Sequence, residues 1–159
     1  SVRTSVFDPG FGMRAFLFLG ASLLAVGGAF AAGPVGDGVV DPSNLTAPLT
    51  YDHNGSSMIV SFEDGLVVYR EPRAAAADMV VEGQVLFRGT MRAKGRIAGT
   101  AYAFKRGCTP APYAVQGHDS GVGFVLTGKA PIRGTGCEVI GHSSNSPASF
   151  LWFGNPLSL

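Results

Sequence analysis

An all-β fold, a small antiparallel up-and-down barrel of about eight strands, is what this sequence predicts, and three observations carry it. From residue 49 onward, short runs of β-branched and aromatic residues alternate with clusters of Gly, Asp, Asn and Pro. The links between runs are mostly too short for the crossovers that parallel strands require, so neighbours in sequence should pair antiparallel. No segment carries a helical periodicity long enough to compete. A two-sheet sandwich fits the same pattern and is the alternative. Closure has the advantage of removing the exposed edges that a Gly-rich, apolar sheet would offer for aggregation.

The elements follow in order. Ser57–Phe62 puts Met58, Val60 and Phe62 on one face, and Glu63-Asp64-Gly65 returns the chain as Leu66–Arg70. Asp-Gly between two such runs is a strong hairpin signal. The polar stretch Asp52–Ser57 reads as a tight turn at the entrance to the first long strand. Pro72 stops the second strand, and the alanine-rich Pro72–Met79 is expected to make one short helical turn. Gln84–Met91 and Arg96–Phe104 then flank a basic turn that begins at Arg92. In the latter run Ile97, Gly99, Ala101 and Ala103 share one face, and Ala98, Thr100, Tyr102 and Phe104 the other. Tyr113–Gly117, Val122–Gly128, Cys137–Gly141 and Ala148–Phe153 supply the remaining strands, giving a barrel domain over residues 49–155.

The N-terminal third reads differently. Met13-Arg14, an apolar run over 15–26 and the small-residue exit Ala29-Phe30-Ala31 form a secretory signal over 13–31. The run is shorter than the ~20 apolar residues a spanning helix needs, so no stable membrane span is expected after cleavage. Residues 1–12 read as an over-extended start, and 32–48, rich in Gly, Pro, Asp and Ser, as a flexible leader. The predicted compartment is periplasmic or extracellular.

Composition narrows the function. The chain has 159 residues, 14% of them charged, with a formal net charge of +1. Without Arg3, Arg14 and Asp8 the exported part is formally neutral, which argues against a nucleic-acid surface. A local anion-binding patch at Arg88, Arg92, Lys94, Arg96, Lys105 and Arg106 competes with the plainer reading of a solvated hairpin turn. Two cysteines, Cys108 and Cys137, in an exporting sequence are expected to form one disulfide. Neither Cys-x-x-Cys spacing nor a nearby ligand cluster points to a metal.

Tyr51–Met58, Tyr69–Arg73, Gly83–Gly89, Gly99–Phe104, Cys108 with Pro112–Gly117, and Leu126–Pro131 ahead of Cys137 resemble small exported bacterial β-domains of uncharacterised function. Similar modules accompany caspase-like peptidase domains in longer chains. The resemblance spans residues 50–153 and implies a fold and a compartment; nothing of a peptidase lies in this chain, and no activity, cofactor or catalytic residue comes with it.

The catalytic vocabulary is thin. Gly123–Ala130 nearly spells a phosphate-binding loop but ends in Ala, where Mg²⁺ ligation needs Ser or Thr, and its middle is β-forming. No Gly-x-Ser-x-Gly elbow is present. His53, His118 and His142 all fall beside predicted turns, and with Asp52, Asp119 or Ser120 they leave a hydrolase or metal-dependent enzyme open as the alternative. No cofactor and no metal are expected. The leading expectation is a non-enzymatic binding or envelope-associated module. Its partner would be a protein or envelope component at the surface, or a small apolar ligand at the barrel mouth. The aromatic residues are expected either to fill the interior or to line such a pocket, with Tyr102, Phe124, Trp152 and His53 as its candidate lining.

Overall fold

A computed structural model of the chain describes residues 38–144 and 146–152. The expected early start, the signal over 13–31 and residues 32–37 and 153–155 lie outside the described residues.

Ten strands form: β1 (Leu49–His53), β2 (Ser56–Ser61), β3 (Leu66–Glu71), β4 (Val85–Thr90), β5 (Ile97–Ala103), β6 (Ala111–Asp119), β7 (Gly123–Gly128), β8 (Pro131–Arg133), β9 (Val139–His142) and β10 (Ser146–Trp152). Eight of them close into an antiparallel barrel in the order β1-β10-β7-β6-β5-β4-β3-β2, and β8 and β9 form a separate two-stranded sheet. The chain thus runs up and down around the wall, with one excursion between β7 and β10.

The predicted eight strands and the observed eight differ in membership at two places. Residues 49–53 are a strand rather than the lead-in to a turn. Only Asn54 and Gly55, at φ 53° and 82°, make the reversal, and His53 pairs directly with Ser56. Two left-handed residues in succession match the right-handed twist of the flanking strands, which is why Asn-Gly suits this turn. Conversely Val139–His142 does not join the wall. The place beside β7 is taken by β10, through Phe150 opposite Phe124 and Ala148 opposite Leu126, so β9 pairs with β8 instead.

Residues 72–79 also depart from expectation. They wind through successive turns, with Ala76 N donating to Arg73 O and Met79 N to Ala76 O, but form no helix. The lone helical element among the described residues is a 3-10 turn at Pro42–Asn44, capped by the Asp41 carboxylate. So short an alanine run cannot offset the cost of helix nucleation, and packing decides its path: Ala76 and Val80 are drawn into the core at one end of the barrel, as Met91 is at the other.

The interior is apolar and filled. Phe87, Phe150, Met58, Ile97, Val60 and Val67 are fully enclosed. A bulge opposite Val67 and Val68 in the β3–β4 pairing lets consecutive Leu86 and Phe87 both join this core. Ring packing is continuous on one side: Phe124 stacks on Phe150 at 4.6 Å, Phe150 on His53 at 4.4 Å, and Tyr51 meets Phe124 edge-on at 5.3 Å.

A second apolar cluster, Ile59, Leu66, Val68 and Val85, lies outside the wall and is covered by Val40, Leu45 and Tyr102. The described part of the expected leader, 38–48, is the cover. Val40 N donates to Gly83 O, Val85 N donates to Gly38 O, and Thr46 N donates to the Asp64 carboxylate at 2.6 Å. Val40 and Leu45 are partly buried, so each contributes less than the roughly 1.5–3 kcal/mol of full burial, and the hydrogen bonds to Gly83, Gly38 and Asp64 help hold a segment that composition alone casts as a linker.

Candidate functional site

Alternation along β5, β6 and β7 turns Ile97, Val115 and Leu126 into the core and so turns Ala98, Gln116 and Thr127 outward. Register then does what sequence spacing does not. Thr90 pairs with Ala98, Ala98 with Gln116, and Gln116 with Thr127, a single transverse row across four strands. Because Ala98 and Ala114 are small, the wall is recessed there into a groove of about 750 Å³, whose lining includes Gln116, Thr127, Lys129 and, from β9, His142. A second recess of about 440 Å³ adjoins it. Thr90, Arg92, Gly95 and Arg96 line it, and Ala98 is common to both.

Of the sequence-predicted site residues, His142 lines this groove, and His53 and Phe124 meet through Phe150, on which both stack; the others lie apart. Phe124 is part of the packed interior. Tyr102 pairs with Pro112 on β6 and packs against the outer apolar cluster, so the two face opposite sides of the wall. Trp152 pairs with Tyr51 on β1, and its side chain lies outside the described residues. His53 stacks on Phe150 and lies 2.9 Å from Ser149 O through Nδ1. His118, opposite Val125, and His142, on β9, occupy different elements. Among the described residues no three His, Cys, Asp or Glu side chains gather closely enough to hold a metal ion. Gly123–Gly128 is strand throughout, and the chain continues from it into a second strand, not the helix a phosphate loop requires.

Three tyrosines ionise above the ordinary phenol range. Burial, and secondarily the Asp119 carboxylate, pushes Tyr51 up. Burial raises Tyr113 and takes Tyr69 to about 12, with Arg73 pulling weakly the other way.

The six-residue basic patch separates into parts. Arg106 is ion-paired with Asp78. Lys105 extends its ammonium to the carbonyls of Gly134, Thr135 and Gly136, so it acts as a brace for the β8–β9 turn. Arg92 and Arg96 remain at the recess. Beside the brace, Cys108 and Cys137 stand at disulfide distance, with Cα atoms 5.4 Å apart. They tie the β5–β6 loop to the hairpin that brings His142 over the groove.

Comparison with protein-family models, with curated proteins and with solved structures finds no match to the chain. The class is therefore defined by the molecule itself: a closed eight-stranded antiparallel barrel with a packed interior, a recessed outer wall and a cysteine-tethered hairpin at the rim of the recess. Among the described residues, no helix is long and apolar enough to cross a membrane.

Proposed function

We propose that this protein is an exported, non-enzymatic binding module that engages an envelope component through the outer wall of its barrel, in the groove bounded by β5, β6, β7 and the β8–β9 hairpin. One observation carries this reading: the interior is occupied by its own side chains, with Phe87 and Phe150 fully enclosed, whereas the outer groove is open and lined by small and polar groups. A small apolar ligand inside the barrel would have to displace that packing at several kcal/mol. The polar groups of the groove would orient a bound chain by hydrogen bonds. Export is supported by the signal-like N-terminus and by the cysteine pair, since disulfides persist outside the reducing cytosol.

The test uses cosedimentation with isolated envelope material. Wild-type protein is expected to sediment with it, and Ala114→Trp, which fills the groove from an exposed position, to remain in the supernatant with an unchanged melting temperature. Equal sedimentation of the two proteins would overturn the reading. Intact mass of the exported protein starting at residue 32 or 33 would establish the cleavage.

A further inference from the structure

The transverse row offers more than a recess. Thr90, Gln116 and Thr127 present hydroxyl and amide groups in line, and cations stand diagonally across the row: Arg92 and Arg96 in the β4–β5 turn, two residues along the chain from Thr90 and Ala98, and Lys129 two residues past Thr127, toward the opposite end of the barrel. Among the described residues, no carboxylate lines either recess. The row crosses three strand spacings of about 4.8 Å and the cations stand two residues off it in opposite directions along the strands, so Arg92 and Lys129 are roughly 20 Å apart, further than one sugar ring reaches. Positive groups at that separation, with neutral hydrogen-bonding groups between, match an extended chain that carries hydroxyls along its length and negative charge at intervals.

We infer that the groove binds an acidic polysaccharide, a chain of hydroxyl-rich sugars bearing carboxylates. The inference rests on the proposed outer-wall binding and specifies its ligand. An extended peptide typically docks by adding a strand to a free sheet edge, and the wall under the groove is closed, with β5, β6 and β7 each paired on both sides, which leaves open edges only on the short β8–β9 hairpin at the rim. Single-stranded nucleic acid is held on stacked aromatic platforms, and among the described residues the rings at the groove are Tyr113, which packs half-buried against the interior core, and the single imidazole of His142. Thr and Gln hydroxyl and amide groups pair with sugar hydroxyls as both donors and acceptors, and Arg and Lys pair with carboxylates.

The experiment is an amide-resolved NMR titration of the purified protein with tetragalacturonate, its fully methyl-esterified form and an oligoglutamate of equal charge. Tetragalacturonate is expected to shift the amides of β5, β6 and β7 around Ala98, Gln116 and Thr127, with an affinity that falls as salt rises. The ester and the peptide should bind at least about tenfold more weakly. The double variant R92A/R96A, at exposed turn positions, should keep its melting temperature and lose about tenfold in affinity. Equal binding of the ester, with the same amides shifted, would overturn the acidic ligand and leave the groove standing. Equal binding of oligoglutamate would overturn the sugar. Shifts confined to other surfaces would remove the groove reading as well. Absence of binding by all three probes would overturn this inference alone, because envelope cosedimentation judges the groove separately.

Discussion

Phe87 and Gly99 fit each other through the absence of a side chain: a Cβ built on Gly99 would stand 2.9 Å from Phe87 Cζ, and also 2.3 Å from Arg88 O and 2.7 Å from Gly89 Cα. The largest enclosed ring of β4 therefore lies over a bare patch of β5, made by the facing pair Gly89 and Gly99. Gly99→Ala is expected to destabilise by about 2 kcal/mol, since overpacking a filled core forces backbone shifts. Phe87→Ala should cost about 3–5 kcal/mol through the cavity it leaves. Urea denaturation of the single and double variants checks both, and their coupling should be less than additive because the two share one contact.

The cysteine link spans 29 residues, a loop whose closure contributes about 3–4 kcal/mol in the chain-entropy account. Reduction is expected to lower the melting temperature by several degrees. Hydrogen exchange should quicken first in β8 and β9, which pair with each other and not with the barrel wall and for which this link is the one cross-link between cysteines. Two titratable thiols in the unreduced native protein would contradict the link. Lys105→Met should loosen the same hairpin without reduction, because it removes the ammonium that the 134–136 carbonyls share.

The cover over the outer cluster is pH-sensitive through Asp64. Its carboxyl is held below the usual range, first by the Thr46 backbone N–H and then by the Ser61 hydroxyl. A depressed carboxyl contributes stability that is present above the unfolded-state value and is lost as pH falls through the folded one. Thr46 amide protection against exchange should therefore be high at neutral pH and fall away in acid, below the ordinary carboxyl range. Asp64→Asn should lower it at neutral pH, and the variant and wild type should converge at low pH. Protection that stayed unchanged in Asp64→Asn would sink the idea.

Tyrosine ionisation supplies an alkaline counterpart. With Tyr69 pushed up to about 12 and Tyr51 and Tyr113 also raised, absorbance titration should show ionisation extending well above pH 10. The folded state favours the neutral phenols, so this contribution is full below pH 10 and is lost as pH rises toward 12. Tyr69→Phe should flatten that loss. Ionisation of Tyr51, Tyr69 and Tyr113 near pH 10 would show that they are solvated.

The barrel was legible because strand runs and turns are local signals. Alternation in 57–62 and 97–103 identified strands that the structure contains, and the cysteine pair followed from number and context. β1 was hidden because its polar residues, Asp52 and His53, adjoin the turn residues Asn54 and Gly55. Composition merges the four, and only the short alternation of Leu49, Tyr51 and His53 separates strand from turn. β9 looked like a wall strand because its Val139 and Ile140 are β-formers, although both are exposed at 48% and 65%. The groove had no linear signal. Thr90, Ala98, Gln116 and Thr127 belong to four runs, and nothing short of the pairing register aligns them. The outward position of small Ala98 and Ala114 was the one available hint, and it is common on solvent faces.

Barrel closure joins the first strand to the last, with Tyr51 opposite Trp152 and Asp52 opposite Leu151. A chain made from its N-terminus onward completes β1 early and must wait for β10 before the seam can form. Until then β1 and the partner edge of β7 stay open, and the growing polypeptide remains a partly paired sheet. Seam formation of such high contact order is slow, on the order of milliseconds to seconds. Under the proposed export as an unfolded thread, this delay would be an asset: the domain would not lock shut before crossing the membrane.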